Sequence, residues 1–200
     1  MSNVVDYFFS LNSPWTYLGH ARFREILSRH GAQPNLRPVD FGRVFPASGG
    51  LPLAKRPPQR QAYRLVELRR WRNFLDVPLN IQPKHFPVSA DLAALDVIAA
   101  DAIDGPTRAM DLAGAILRAV WAEEKNIADR ATLHVIATAQ GFDADSLAER
   151  AAAPETKAKY DAFTQAAIDR QVFGAPTYVY RDEPFWGQDR LDFLDRALSS

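Results

Sequence analysis

The sequence predicts an α/β fold in which a strand–helix–strand unit and a strand–strand–helix unit flank a long helical block. Short runs of β-branched and aromatic residues enclose one helical apolar stripe in the N-terminal part of the chain. Ala-rich amphipathic segments fill the middle, and two strand-like runs precede a helical pattern at the end. The chain has 200 residues, 47% of them hydrophobic, which suits one domain, or one domain carrying a large insertion.

The N-terminal unit begins with a buried strand over Val4–Ser10. Pro14 suits the first turn of a helix, and an apolar stripe extends that helix to about Ser28. A second strand is predicted over Leu36–Asp40, where Pro38 indicates an irregular strand or an edge strand.

The middle of the chain is predicted to be helical after one long loop. Gly and Pro are frequent from about Gly42 to Pro58, which is typical of a loop. A helix follows over Gln59–Leu75. Further helical segments are predicted over Ser89–Asp104, Pro106–Glu123, Arg130–Gln140, Asp143–Ala152 and Pro154 to about Gln171.

The C-terminal unit completes the pattern. Thr177–Tyr180 is strand-like, Arg181–Pro184 is turn-like, Phe185 and Trp186 begin a return strand, and Leu191–Leu198 is helical. This order describes a thioredoxin-like fold interrupted by a large all-helical insertion. We therefore expect a thioredoxin-like domain formed by residues 1–45 and 165–200, and a helical insertion domain over residues 46–164.

Composition excludes several classes of function. Lys+Arg and Asp+Glu both number 24, so the zero net charge gives no reason to expect nucleic acid or an acidic membrane as partner. We see no signal peptide and no apolar run of membrane-spanning length, and we expect a cytoplasmic protein. The chain has no cysteine, which excludes disulfides and thiol catalysis by its own side chains. Its four histidines form no close pair, so no metal site is expected.

Hydroxyl residues mark the junction between the first strand and the first helix, in the segment Ser13-Pro14-Trp15-Thr16. In a thioredoxin-like fold this is the position of the redox Cys-x-x-Cys pair. The simplest interpretation is that Asn12 or Ser13 caps the helix. The alternative is that the Ser13 hydroxyl donates a hydrogen bond to a thiolate that a ligand supplies, and lowers the pKa of that thiol.

Two further segments are candidates for ligand binding. Gly174–Thr177 contains an Ala175-Pro176 bond before a strand; it is either an ordinary loop proline or a cis-proline turn whose exposed backbone pairs with an extended peptide. Trp186–Arg190 precedes the last helix, where Gln188 and Asp189 either cap that helix or bind a ligand ammonium group.

These segments together resemble the 2-hydroxychromene-2-carboxylate isomerases and the kappa-class glutathione transferases. The resemblance spans nearly the whole chain, and the Trp-Gly-x-Asp-Arg motif favours the isomerases. Wider relatives are thioredoxin-like disulfide oxidoreductases, whose chemistry the missing cysteines exclude. The matching segments are Asp6–Leu18, Tyr63–Trp71, Val77–Leu79, Arg170–Thr177 and Trp186–Arg190.

The resemblance implies glutathione as cofactor. Ser13 would hydrogen-bond its sulfur and hold it as thiolate, as the catalytic residue. The backbone of Ala175, before a cis-Pro176, would pair with the cysteinyl part, while Gln188 and Asp189 would hold the γ-glutamyl end.

The resemblance also implies a contact to the glycyl carboxylate, because Arg60 lies where the family has a lysine. One departure is that Ser48-Gly49-Gly50 stands where the family often has an asparagine, which leaves one contact unassigned. The basic residues around this loop either steer an anionic substrate or form a solvated face; they are Arg43, Lys55, Arg56 and Arg60.

Several aromatic residues are candidates for contacts with the substrate ring. Trp15, Tyr17 and Phe45 either flank it or pack in the core, whereas Trp71 and Trp121 lie on helical stripes and are predicted to be core.

The activity implied by the resemblance is a glutathione-dependent cis/trans isomerisation in aromatic compound degradation. It interconverts 2-hydroxychromene-2-carboxylate and trans-o-hydroxybenzylidenepyruvate through reversible addition of the glutathione thiolate. The implied partners are a small aromatic carboxylate substrate and a second copy of the chain in a homodimer. Two alternatives remain: a kappa-like glutathione transferase or peroxidase, and a non-catalytic thioredoxin-like module that binds peptides at the Ala175-Pro176 edge.

Overall fold

Four strands form one mixed sheet in the computed structural model, which describes residues 3–199. The strands are β1 (Val4–Phe9), β2 (Gln33–Pro38), β3 (Thr177–Tyr180) and β4 (Glu183–Trp186), in the spatial order β2-β1-β3-β4. β2 is parallel to β1, and β3 and β4 each run antiparallel to the preceding neighbour in that order. Pro38 ends β2, which is an edge strand. One side of an edge strand has no neighbouring strand, so the N–H that proline lacks is tolerated there.

Eight α-helices accompany the sheet within the described residues. Short 3₁₀ turns occur over Leu53–Lys55 and Gln188–Arg190. The helices are α1 (Pro14–His30), α2 (Phe41–Ser48), α3 (Pro58–Leu75), α4 (Asp91–Trp121), α5 (Arg130–Ala139), α6 (Ala144–Ala152), α7 (Pro154–Asp169) and α8 (Leu191–Leu198).

The sheet is covered by helices on both faces, because its central strands β1 and β3 carry buried apolar side chains on both sides. On β1, Tyr7 and Phe9 face a large core to which α1, α4 and α8 contribute. Phe8 points the other way, into a smaller cluster with residues of α2 and α7. The predicted α/β architecture, a thioredoxin-like fold with a large helical insertion, is confirmed.

Two predicted helices are joined into one. The segments expected over 89–104 and 106–123 form α4, and Gly105 between them has non-helical angles, with φ 81° and ψ 176°. A positive φ is accessible to glycine because it has no Cβ, and the following Pro106 has no N–H to donate. The sequence therefore located the break, although the two halves remain one kinked element.

The long loop expected from about Gly42 to Pro58 is wrong in its first half. Residues 41–48 form α2, which Asp40 caps by accepting from the Gly42 N–H at 2.8 Å. Phe41 and Val44 bury themselves against α7 at helical spacing, and this tertiary contact outweighs the local preference of Gly and Pro. The second strand also begins earlier than expected, at Gln33, because all of β1 pairs with it.

The predicted domain boundaries fall inside helices. The 45/46 boundary lies within α2, the 164/165 boundary lies within α7, and α4 of the insertion packs directly on β2 and α1. The division into two domains stays a prediction. None of the helices over residues 3–199 is both long and apolar enough to cross a membrane.

Candidate active site

Ser13 is the N-cap of α1, at the point where β1 has ended. Its backbone is extended, with φ −83° and ψ 125°, and its Oγ accepts a hydrogen bond from the Thr16 N–H at 3.2 Å. The capping interpretation is therefore confirmed for Ser13. A hydroxyl has one proton and two lone pairs, and no hydrogen bond within residues 3–199 uses the proton of this one.

Asn12 holds the junction against the loop that precedes α4. Its Nδ2 donates to the Val88 carbonyl at 2.8 Å, and its Oδ1 accepts from the Ser10 hydroxyl at 2.8 Å. Asn12 is therefore not the cap. Instead, it connects the strand–helix junction to the helical insertion.

The Gly174–Pro176 turn lies beside this junction because Phe8 pairs with Thr177 in the sheet. The Ala175–Pro176 peptide bond is cis. Ala175 is half-buried, and outside the strands no hydrogen bond of the described chain uses its backbone N–H or C=O. A Cβ at Gly174 would lie 2.4 Å from Nε1 of Trp186, so glycine is required for the indole to approach this turn.

The segment after Trp186 is held against α1. Gly187 has a φ of 94° and donates its N–H to the Pro176 carbonyl at 2.9 Å. Gln188 is only 2% exposed, and Arg22 of α1 donates to its backbone carbonyl at 3.2 Å. Asp189 is exposed and paired with its neighbour Arg190.

Two adjoining cavities collect most of the predicted site residues. The first, of about 440 Å³, contains Ser13 and is called the Ser13 cavity; the second, of about 610 Å³, contains Arg60 and is called the Arg60 cavity. Ala175 lines both, whereas Gln188 and Asp189 line only the Arg60 cavity. Pro176 is buried behind the turn and lines neither. The wall common to both cavities consists of Trp15, Phe45, Arg56, Arg64, Phe173, Ala175 and Trp186.

The four basic residues considered for steering an anionic substrate differ in whether they line a cavity. Arg56 lines both cavities and Arg60 lines one. Arg43 pairs instead with Asp161 at 2.7 Å, and Lys55 is exposed outside both linings. These last two belong to the solvated face that the sequence left open as an alternative.

Arg64 is a lining residue that the sequence reasoning missed. Its guanidinium lies 5.0 Å from the ring centre of Phe86 and 5.8 Å from that of Trp121, and its Nη2 is buried with no hydrogen-bond partner in the described chain. Burial, and secondarily the charge of Arg56, lower the pKa of Arg64 to about 10, so it stays protonated at neutral pH. The available signal was spacing, because Arg64 follows the candidate Arg60 by one turn of α3.

The aromatic candidates also divide. Trp15 and Phe45 line both cavities, and Trp121 is fully buried, as predicted for a core residue. Tyr17 lies outside both linings and donates its hydroxyl to the Pro78 carbonyl at 2.6 Å. Trp71 packs against the core but remains half-buried and lines the Arg60 cavity, so its assignment to the core holds only in part.

The polar groups here suit an organic ligand. Over residues 3–199, no three His, Asp or Glu side chains are grouped so as to hold a metal ion. The Ser13 hydroxyl is free to donate to a ligand at the N-terminus of α1, where the unpaired N–H groups of the first helical turn favour negative charge.

Comparison with known proteins gives consistent results. The family model of the DSBA-like thioredoxin domain matches residues 4–199. The 2-hydroxychromene-2-carboxylate isomerase of Sphingobium xenophagum is 30% identical over 199 residues, which cover 99% of each chain. Glutathione S-transferase kappa 1 of Rattus norvegicus is 26% identical over 213 residues, covering 98% of this chain and 90% of that protein.

A solved structure extends the likeness to three dimensions. The structure of a 2-hydroxychromene-2-carboxylate isomerase superposes with a TM-score of 0.81 at 26% identity, covering 98% of this chain and 94% of that one.

Proposed function

Because the chain belongs to the DSBA-like thioredoxin domain family, and within it to the 2-hydroxychromene-2-carboxylate isomerases, we propose that it is a glutathione-dependent cis/trans isomerase. The proposed reaction interconverts 2-hydroxychromene-2-carboxylate and trans-o-hydroxybenzylidenepyruvate. The observation that carries it is the free proton of the Ser13 hydroxyl, placed at a helix N-terminus in a chain without a thiol of its own.

The residues of the two cavities fit glutathione. Arg60 is an exposed cation for which no ion pair is seen within residues 3–199, and it suits the glycyl carboxylate. The unpaired backbone of Ala175, beside Pro176, suits the cysteinyl amide. Gln188 and Asp189 lie together at the same cavity and suit the γ-glutamyl end, although Asp189 shares its charge with Arg190.

Bound glutathione would supply the nucleophilic sulfur that adds reversibly to the conjugated double bond and so allows rotation about it. Ser13 favours the ionised form of that sulfur by donating a hydrogen bond from its hydroxyl, while the Thr16 N–H holds the oxygen in place. The N-terminus of α1 adds a partial positive charge in the same position. Trp15, Phe45 and Trp186 line the space shared by the two cavities, where they exclude water from the reacting carbon.

A kappa-like glutathione transferase is the second candidate, because a kappa-class transferase is 26% identical over nearly the whole chain. The same cavities and the same Ser13 would serve that reaction. The two functions differ in the fate of glutathione, which a transferase consumes in a stable conjugate and an isomerase returns.

The test follows the interconversion of the two acids by absorbance, with and without glutathione, for the wild type and Ser13→Ala. We expect glutathione-dependent turnover that collapses in the variant, while total free glutathione stays constant. Turnover that consumes glutathione would move the chain to the transferases. Tight glutathione binding without turnover would reject this substrate pair, and no binding of glutathione would reject both enzyme proposals.

The resemblance also leads us to propose a homodimer and a cytoplasmic location. Light scattering during gel filtration measures the first, and fractionation of the native host measures the second.

A further inference from the structure

Arg64 carries a charge that no acidic side chain of the described chain compensates. Its guanidinium lies over the rings of Phe86 and Trp121, and its Nη2 is out of contact with solvent and without a hydrogen-bond partner. Leaving a buried donor unsatisfied is costly, and more so for a charged group. A buried charge of this kind therefore needs an explanation, and a functional role is one such explanation.

The acids that surround the two cavities are already engaged. Asp40 caps α2, and Asp91 accepts from the Tyr160 hydroxyl at 3.0 Å. Glu67 pairs with Arg70 at 2.7 Å, and Asp189 pairs with Arg190. Arg64 therefore faces the cavities without a carboxylate of the protein to neutralise it.

Arg56 adds a second positive charge to the same wall. Its Nε donates to the Leu51 carbonyl at 2.8 Å, and its guanidinium lies 5.9 Å from the ring centre of Phe45. The lowered pKa of Arg64 reflects burial and, in part, repulsion by Arg56. An anion bound beside the part of the Arg64 guanidinium that lines the cavities would relieve that repulsion and neutralise the charge.

We infer that Arg64, with Arg56 beside it, holds the carboxylate of the acid in the Ser13 cavity and selects an anion over a neutral ligand. The inference rests on the proposed function for the identity of the reaction, since the carboxylate belongs to the substrate of that same site. The apolar body of the acid lies against the aromatic lining of the cavity, which includes Phe41, Phe86 and Tyr160. Arg64 is thus a specificity-determining residue for the carboxylate of that acid.

The carboxylates of glutathione are the competing occupants of this charge. Arg60 lies in the Arg60 cavity with Gln188 and Asp189, and it is absent from the Ser13 cavity. Arg64 and Arg56 reach both cavities, and they are the two cations that line the space next to Ser13. This division assigns Arg60 to glutathione and Arg64 to the second acid.

The test measures binding, independently of turnover, with trans-cinnamate and its neutral amide trans-cinnamamide as probes in titration calorimetry. The variants are Arg64→Met, Arg64→Lys and, as a matched control, Arg69→Met. Arg69 is exposed on the same helix and lines neither cavity. A charge-assisted hydrogen bond accounts for about 10- to 100-fold in affinity, so the wild type should prefer the acid over the amide by that factor.

We expect Arg64→Met to abolish this preference, Arg64→Lys to retain part of it, and Arg69→Met to leave it unchanged. Glutathione affinity, measured in the same way, should change less than about twofold in Arg64→Met, well below the effect of a lost charge-assisted bond. Equal affinity for acid and amide in the wild type, or no cinnamate binding, would overturn the inference. So would loss of glutathione binding in Arg64→Met with cinnamate binding intact. Arg64-dependent cinnamate binding without isomerase turnover would retain the anion site and reject only the proposed reaction.

Discussion

Comparing two substitutions of Ser13 separates the effect of its structural hydrogen bond from the effect of the proposed catalytic one. The structural bond is the helix cap, in which Oγ accepts from the Thr16 N–H. The proposed bond uses the proton of the same hydroxyl toward the glutathione sulfur. Ser13→Ala removes both. Ser13→Gly also removes both, but glycine is tolerated at an N-cap position, so its effect on stability is smaller.

The two bonds differ in expected size. Loss of the cap costs about 1 kcal/mol in the alanine variant and a few tenths in the glycine variant. For a chain of this length, about 1 kcal/mol lowers the melting temperature by roughly 2–4 °C. A hydrogen bond to a charged group contributes about 1.5–3 kcal/mol, so its loss should raise the pKa of the bound thiol by about 1–2 units in both variants.

The assay combines thermal unfolding by circular dichroism with titration of the thiolate absorbance of bound glutathione. We expect a lower melting temperature for Ser13→Ala than for Ser13→Gly, with the thiol pKa raised equally in the two. If the thiol pKa instead followed the melting temperature from variant to variant, the effect on sulfur would be indirect. An unchanged thiol pKa in both variants would refute the role of the hydroxyl.

Three further predictions concern stability and the cavity wall. Burial lowers the pKa of His20 to about 4, below its unfolded value of 6.5, so the unfolded chain takes up more protons between these values and stability falls as pH drops through them. The free energy of unfolding should fall by about 3 kcal/mol over this range. The fall should be absent in His20→Gln, whose amide can still donate to the Met110 carbonyl. Urea unfolding that gives parallel stability–pH curves for wild type and variant would contradict this. Gly174→Ala should displace the indole of Trp186, because overpacking costs about 1–3 kcal/mol of stability, and it should thereby weaken glutathione binding; unchanged tryptophan fluorescence and calorimetric affinity would count against it. Arg64→Met replaces a buried unpaired charge by an apolar chain and should raise the melting temperature by about 2–4 °C, whereas a lower value in calorimetry would show that the ring contacts of the guanidinium dominate.

The parts of the fold predicted from sequence are those whose signals are local. β1 is rich in β-branched and aromatic residues, and Pro14 together with the Ser13 cap marks the start of α1. α2 was missed because Gly42 and Pro46 indicate a loop in any local window. What makes this segment helical is the burial of Phe41 against a helix more than a hundred residues later in the chain.

The same limit applies to the candidate site. Ser13 and Ala175 stand in short motifs that mark their positions in any chain of this fold. Arg64 stands in an ordinary basic helix, one turn after Arg60, and nothing local distinguishes the two. Only the fold places the rings of Phe86 and Trp121 around one of them while the other remains exposed.

The elements that supply Ser13, Ala175 and Arg64 suggest how the proposed chemistry is divided along the chain. The group proposed to act on sulfur, Ser13, and the neighbouring Ala175 come from the junctions of β1 and β3 with their flanking segments. The charge proposed to select the acid comes from Arg64 on α3, within the predicted insertion. Because Ser13 and Ala175 lie outside α3, a change on that helix can alter the acid that is bound while the sulfur site keeps its geometry, provided that the Asn12 contact to the Val88 carbonyl is preserved. Relatives with different residues on the α3 wall should then differ in substrate and agree in their dependence on glutathione.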